Sequence, residues 1–125
     1  MKFRSKYEKA IYGDIPAKYK RRVEYEPSDP TMRYTLPKRY IPDFDLGNGV
    51  YVEAKGYFKS ADRTKMLRVR KENPGVDLRF LFQRANNRLT KSPNSMMYWE
   101  WAEKHSFEWS EGTKIPKEWF RKNGK

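Results

Sequence analysis

The stretch Ile41-Pro42-Asp43-Phe44-Asp45-Leu46-Gly47-Asn48-Gly49-Val50-Tyr51-Val52-Glu53-Ala54-Lys55 carries the clearest pattern in the chain. Phe44, Leu46, Val50, Val52 and Ala54 fall on one parity; Asp43, Asp45, Tyr51, Glu53 and Lys55 fall on the other. This is the alternation of strands with one face in a core, and Gly47-Asn48-Gly49 supplies the turn of a β-hairpin. A turn centred on Asn48 pairs Leu46 with Val50 and Phe44 with Val52 on the apolar side. It also sets Asp43 opposite Glu53, with Cβ atoms ~5 Å apart. A two-residue Asn48-Gly49 turn would instead put the two carboxylates on opposite faces. The apolar pairing selects the first register.

Outward from the hairpin, helical and strand patterns alternate. Ser5-Lys6-Tyr7-Glu8 has the form of a capping box, followed by Tyr7, Ala10 and Ile11 at helical spacing. Gly13, Asp14 and Pro16 keep this helix short. Lys20 to Glu26 alternates around Val23 and Tyr25 and predicts a strand. Four of the eight prolines lie between Pro27 and Pro42, which excludes helix and predicts an extended connector or edge segment. Downstream, Ala61 to Asn73 predicts a charged helix that turns Met66, Leu67 and Val69 inward and stops at Asn73-Pro74-Gly75. Leu78 to Phe82 predicts a short buried strand. Ser92-Pro93-Asn94-Ser95 is expected to open a second helix with Met97, Tyr98, Trp101, Ala102 and His105 on one face. Phe107 to Trp109 predicts an edge strand, and Pro116 to Phe120 a last helical turn packing Trp119. The order is that of a mixed α/β domain.

With 125 residues the chain suits one domain. Lys and Arg number 28 against 16 Asp and Glu, a net charge of +12, so a polyanion is the natural partner. The absence of cysteine excludes disulfides, Cys-ligated metals and a thiol nucleophile, and the single histidine, His105, excludes sites needing two imidazoles. No apolar run is long enough to span a membrane. Ile, Leu, Val and Phe sum to only 22 residues, but nine Tyr and four Trp add large buried areas. The expected core is thin and aromatic, and a partner subunit would help complete it.

Two carboxylates facing each other across a hairpin repel, so a cation is expected between them. Oxygen ligands suit a hard divalent ion, and Mg²⁺ is the usual one where phosphate is the other ligand. Lys55, two residues beyond Glu53 on the same face, can hold a water or a phosphate oxygen. Together these are the parts for metal-assisted phosphodiester hydrolysis.

Pro42-Asp43 followed by Glu53-Ala54-Lys55 is the pattern of the PD-(D/E)xK nucleases. Its surroundings, Tyr40 to Phe44, Asn48 to Gly56 and Asp62-Arg63, closely resemble the endonuclease I family of T-seven-type bacteriophages. So do Phe3-Arg4-Ser5 with Glu8, Glu24-Tyr25-Glu26, Ser92-Pro93, Glu103-Lys104-His105 and Ile115-Pro116 with Glu118-Trp119. The resemblance implies a restriction-endonuclease-like mixed β-sheet flanked by helices, in a domain-swapped homodimer that resolves four-way (Holliday) junctions in DNA. It implies a segment 1–26 exchanged with the partner, a connector over 27–40, the catalytic hairpin and remaining core over 41–120, and a basic tail over 121–125. The implied catalytic residues are Glu8, Asp43, Glu53 and Lys55, with Glu8 supplied by the partner. Asp43, Glu53 and the Ala54 carbonyl would hold Mg²⁺ or Mn²⁺, with Ca²⁺ binding without supporting cleavage. Arg4, Lys59, Arg63, Lys65 and Arg68 are expected on DNA, and the place of action is the cytoplasm of a bacterial host. The break at Gly13-Asp14-Ile15-Pro16 departs from the family's longer first helix.

Each of these residues also has a plainer reading. Glu8, by local pattern, could simply bond back to its own helix cap. Asp43, Glu53 and Lys55 could be solvated strand residues, although that leaves the like-charge pairing unexplained. Asp45 shares their parity and suits a surface role. His105 suits a helix C-terminus better than a general base. Trp99, Trp101, Trp109 and Trp119 read as core before base-stacking platforms. Arg63, Lys65, Arg68, Arg70 and Lys71 form either a solvated helix face or phosphate contacts. A duplex- or mismatch-directed endonuclease of the same fold, and a non-catalytic basic nucleic-acid-binding protein, are the alternative functions.

Overall fold

The computed structural model describes residues 2–27, 32–34 and 38–121. In chain order its elements are α1 (Lys6–Asp14), α2 (Ala17–Lys20), β1 (Glu24–Tyr25), β2 (Met32–Tyr34), β3 (Lys38–Tyr40), β4 (Phe44–Asp45), β5 (Val50–Lys55), α3 (Ser60–Glu72), β6 (Asp77–Phe82), α4 (Tyr98–Lys104) and β7 (Trp109–Glu111). A 3₁₀ turn, Lys117–Phe120, ends the described fold.

The hairpin forms in the register that its apolar pairs select, with Phe44 opposite Val52 and Asp45 opposite Tyr51. Gly47 and Gly49 take φ of +83° and +93° in its turn, where a side chain would be strained. Gly47 is doubly constrained, because a Cβ there would lie 3.0 Å from the Arg22 carbonyl. Five strands form one sheet in the order β1-β4-β5-β6-β7. β1, β4 and β5 pair antiparallel, while β5, β6 and β7 pair parallel. The parallel half requires crossovers, which α3 and α4 supply.

β5 and β6 lie inside the sheet, and each of its faces carries its own apolar cluster. One cluster joins Ile11, Phe44, Leu46, Val52, Leu81, Trp119 and their neighbours. The other gathers Phe58, Met66, Phe80, Phe82, Tyr98 and Trp101 beneath α3 and α4. The second is built mainly of rings: Phe58 stands 4.9 Å from Trp101 and 5.2 Å from Phe80, and Phe80 stacks on Phe82 at 5.4 Å. The core is therefore aromatic, as the composition predicts. Glu53 and Lys55 share the face of Phe80 and Phe82, so the polar side of the hairpin is covered rather than solvated.

Several boundaries differ from the sequence reading. Ala10 is exposed, and the first helix buries Ile11 and Glu8 instead. The strand expected over Lys20–Glu26 shrinks to Glu24–Tyr25, because Ala17–Lys20 closes a short helix after Pro16. Ser92–Ser95 forms turns rather than a helix start: the Ser95 N–H bonds the Ser92 carbonyl at 3.0 Å and the Asn94 N–H the Ser92 hydroxyl at 3.3 Å. Such local side-chain bonds compete with helix. α4 begins at Tyr98, where the Glu100 carboxylate accepts from the Met97 N–H at 2.9 Å. The last strand is Trp109–Glu111 rather than Phe107–Trp109. Within the connector, β2 and β3 pair antiparallel, Met32 opposite Tyr40, so its described part is extended but folds back on itself. Residues 28–31 and 35–37 of the connector, and 122–125 of the basic tail, lie outside the described residues.

Phe58→Ala removes a fully buried ring that touches four others. It should cost about 3–5 kcal/mol of folding stability in chemical denaturation; a loss below about 1 kcal/mol would contradict this packing.

Candidate active site

Pro42 is where the hairpin stops being a regular ladder. Continued by two residues, the β4–β5 register sets Pro42 opposite Ala54, and proline has no N–H for the Ala54 carbonyl. The Ala54 N–H is taken by a side chain instead, donating to Asp43 Oδ2 at 2.9 Å. The Leu46 N–H donates to the Val50 carbonyl at 3.0 Å, which sets the side toward which residues 50, 52 and 54 present their backbone groups. The Ala54 carbonyl thus points toward Asp43 without a ladder donor.

Asp43 is 1% exposed and Glu53 4%. They line one open hollow of about 800 Å³ with Arg4, Glu8, Glu26, Tyr40, Ala54, Lys55, Asp62 and Lys65. The hollow therefore brings together Glu8, Asp43, Glu53, Lys55 and Ala54 of one and the same chain, with Arg4 and Lys65 also in its lining. Three further expected DNA contacts lie elsewhere. Lys59 rests over the exposed Tyr57 ring at 5.8 Å. Arg63 donates to the Phe58 carbonyl at 2.8 Å. Arg68 lines a smaller neighbouring hollow with Lys65 and Asp62.

Each carboxylate has identifiable partners. Tyr40 donates its hydroxyl to Glu53 Oε1, and Lys55 Nζ lies 3.3 Å from Glu53 Oε2. Lys55 is also 3.5 Å from Asp62, whose Oδ2 accepts the Lys59 N–H at 3.2 Å at the start of α3. At Glu8 only one half of the capping box forms. The Ser5 hydroxyl caps the Glu8 N–H at 3.0 Å, but the Glu8 carboxylate turns away and accepts from the Tyr25 hydroxyl. Arg4 Nη2 donates to Asp43 Oδ1 at 2.5 Å, and its Nε pairs with Glu26. Tyr25, Glu26, Tyr40 and Asp62 carry part of the resemblance in the sequence, but the sequence reading gave none of them a role in the site. Tyr25 and Tyr40 flank the connector, and no local spacing marks them as partners of Glu8 and Glu53.

Electrostatics explain the protonation states. Burial, reinforced by Glu53 and Glu8, holds the Asp43 carboxyl well above the ordinary carboxylate range despite the Ala54 N–H and Arg4. Burial opposes the Lys55 charge, but Glu53, Asp62 and Asp43 outweigh it and raise its pKa. Lys55 is therefore an ammonium, a donor and not a base. Tyr40 is pushed well up by burial, then by Glu53 and Asp43, and Tyr25 up to about 12 by burial and Glu8. Both phenols remain donors. His105 lies outside the hollow as the C-cap of α4. Burial, then Lys104 and Arg70, lowers its pKa, so it occupies the expected place without becoming a favourable dipole cation. Asp45 accepts from the Gly47 N–H at 2.9 Å, a turn role. Trp101 and Trp119 are core, and Trp99 and Trp109 form a half-buried pair 6.0 Å apart.

The donor set fits a hard cation. Two buried carboxylates and a backbone carbonyl offer oxygen atoms, and burial first, then the nearby Glu53 and Glu8, makes a negative charge on Asp43 costly unless a cation compensates it. Among the described residues no three His, Cys, Asp or Glu side chains form a metal-holding cluster.

Fold and site together define a mixed α/β protein with an acidic, lysine-bearing hollow on a β-hairpin. A family model described as phage endonuclease I matches residues 1–125. Endonuclease I of Escherichia phage T7 is 35% identical over 123 residues, covering 95% of this chain and 78% of that protein. Endodeoxyribonuclease 1 of Enterobacteria phage T3 is 39% identical over 94 residues, covering 67% of this chain and 60% of that protein. The chain belongs to the phage endonuclease I family.

Because the folded chain binds the Asp43 proton more tightly than the unfolded chain, this group favours folding most fully below the model-peptide value of 3.8. That contribution disappears as pH rises through the raised folded value. Asp43→Asn, which keeps an acceptor for the Ala54 N–H, should therefore raise the thermal midpoint in EDTA at pH 8. It should also flatten the dependence of that midpoint on pH; an unchanged or lower midpoint would contradict the assignment.

Proposed function

We propose that this protein is a structure-selective DNA endonuclease that resolves four-way junctions by metal-dependent phosphodiester hydrolysis, working as a homodimer that exchanges residues 1–26. The observation that carries the reading is the convergence of buried Asp43 and Glu53 with Lys55 and Glu8 in one hollow. Membership of the phage endonuclease I family supports it. The host cytoplasm is the proposed place of action; among the described residues no helix is long and apolar enough to cross a membrane.

Asp43, Glu53 and the Ala54 carbonyl would hold Mg²⁺ or Mn²⁺. When bound, such an ion polarises the scissile phosphate and lowers the pKa of a coordinated water. The chain's own residues do the rest. Tyr40 and the Ala54 N–H fix the orientation of Glu53 and Asp43. Lys55, held as an ammonium, places a water or steadies charge on a phosphate oxygen. Glu8, oriented by Tyr25, adds negative charge on the side facing Arg4. The hollow shares Arg4 and Ser5 with a smaller one lined also by Lys2, Lys6 and Lys9, and shares Asp62 and Lys65 with another lined also by Arg68. A phosphate backbone lying over the hollow and either neighbour would meet positive charge beside the carboxylates.

The exchange rests on where Glu8 originates. The 1–26 segment docks through β1, through Ile11, Ile15 and Val23 in the core, and through polar bonds, among them the Glu26 N–H to the Asp43 carbonyl at 3.0 Å and the Tyr7 hydroxyl to the Gly112 carbonyl at 2.7 Å. A partner's copy of the segment can make the same bonds. Two such sites related by a two-fold axis suit a junction whose two strands must be cut symmetrically.

Purified protein should cleave a four-way junction in Mg²⁺ and not in EDTA, with the matching linear duplex cut far more slowly. Equal cleavage of both would favour a duplex-directed enzyme, and no cleavage of either a non-catalytic binder. Asp43→Ala and Glu53→Ala should each lose cleavage while retaining junction binding in Ca²⁺. Light scattering at micromolar concentration should give twice the chain mass of 15.1 kDa; a single-chain mass would refute the exchange.

A further inference from the structure

Arg4 stands where a metal ion would have to approach. Its Nη2 occupies Asp43 Oδ1 at 2.5 Å, while the Ala54 N–H occupies Oδ2 at 2.9 Å. Its Nε pairs with Glu26 and lies 3.9 Å from Glu8 Oε1, so one guanidinium faces three carboxylates. Lys55, the other cation on the pair, is confined: its side chain is 15% exposed and is also held by Asp62. The Arg4 side chain is 60% exposed. Its backbone is anchored separately, the Arg4 N–H donating to the Tyr25 hydroxyl at 2.9 Å. Arg4 also lines both the acidic hollow and the adjoining hollow of Lys2, Lys6 and Lys9. A rotation of the side chain about its fixed backbone carries the charge from the carboxylates to the basic track, where a phosphate offers the guanidinium the same bidentate, charge-assisted pairing.

We infer that Arg4 is a built-in placeholder cation whose departure to a DNA phosphate opens Asp43 to the metal, so that DNA and metal bind with positive coupling through this one side chain. The inference rests on the metal-dependent nuclease reading above. A divalent ion and a guanidinium on the same carboxylate oxygen repel, so the free protein binds metal weakly. DNA removes the competitor, and by reciprocity metal tightens DNA binding by the same factor.

Calorimetric titration of Ca²⁺ into the DNA-free protein, together with junction affinities in EDTA and in Ca²⁺, tests it. Arg4→Gln should bind Ca²⁺ about tenfold more tightly than the parent, within the usual range of coupling between sites. The tightening of junction binding by Ca²⁺ should shrink by the same factor. Arg4→Lys, which keeps the charge, should stay nearer the parent in both measurements. Unchanged or weaker Ca²⁺ binding by Arg4→Gln would overturn the inference, as would Arg4→Lys behaving like Arg4→Gln. Asp43→Asn separates the two levels of argument. If it leaves Ca²⁺ binding intact, the metal-site reading itself fails; if it abolishes Ca²⁺ binding while Arg4→Gln changes nothing, only the role of Arg4 fails.

Discussion

The bond from the Ala54 N–H to the Asp43 carboxylate substitutes a side chain for a rung of the sheet. Pro42 has no N–H to offer the Ala54 carbonyl, and the Ala54 N–H donates to Asp43 at 2.9 Å instead of to a backbone carbonyl. Much of the surrounding arrangement follows from that substitution. The carboxylate must lie at the strand edge, 1% exposed, and opposite Glu53, because the register allows nothing else. The Ala54 carbonyl loses its donor at the same point. A residue with no N–H thus stands next to the paired acids and leaves the Ala54 carbonyl without a donor from the position opposite it.

Such a gathering is unfavourable alone, and the fold is arranged around that fact. Like charges opposite each other on strands destabilise, and burial makes the repulsion harder to screen. The compensation comes from groups of different mobility. Tyr40 and Lys55 are held inside the packed structure, whereas Arg4 reaches in from an exposed position. Among the described residues no buried side-chain polar atom lacks a partner. The net charge of +12 therefore says less about the site than the few acids that the excess surrounds.

What could be read from sequence follows the range of each signal. The hairpin register was legible because period-two alternation and a glycine-framed turn are local, and they locate Asp43, Glu53 and Lys55 together. α3 and the buried β6 were legible for the same reason. The α4 start was not, since Ser92-Pro93 resembles a helix opening while Ser95 and Asn94 bond back to Ser92. Nor was the covering of the hairpin's polar face: Glu53 looks solvent-facing in strand parity, and only the parallel pairing with Phe80 shows it buried. Glu8 needed the family resemblance to compete with its capping role, and its Tyr25 partner is seventeen residues away. Contacts such as Arg4 with Asp43 and Tyr40 with Glu53 depend on how elements meet, which no window of sequence contains.

The two phenol–carboxylate bonds have a bearing on how the family can vary. Tyr25 is the last strand residue before the connector and Tyr40 the last residue of the connector, and each is tied to an acid of the hollow. The connector is thus moored at both ends by the site itself. Insertions or deletions between the moorings need not move any acid of the hollow, because both ends are fixed by bonds made outside the altered stretch. Connector length can thus change while the bonds at its two ends, and the acids they hold, stay in place.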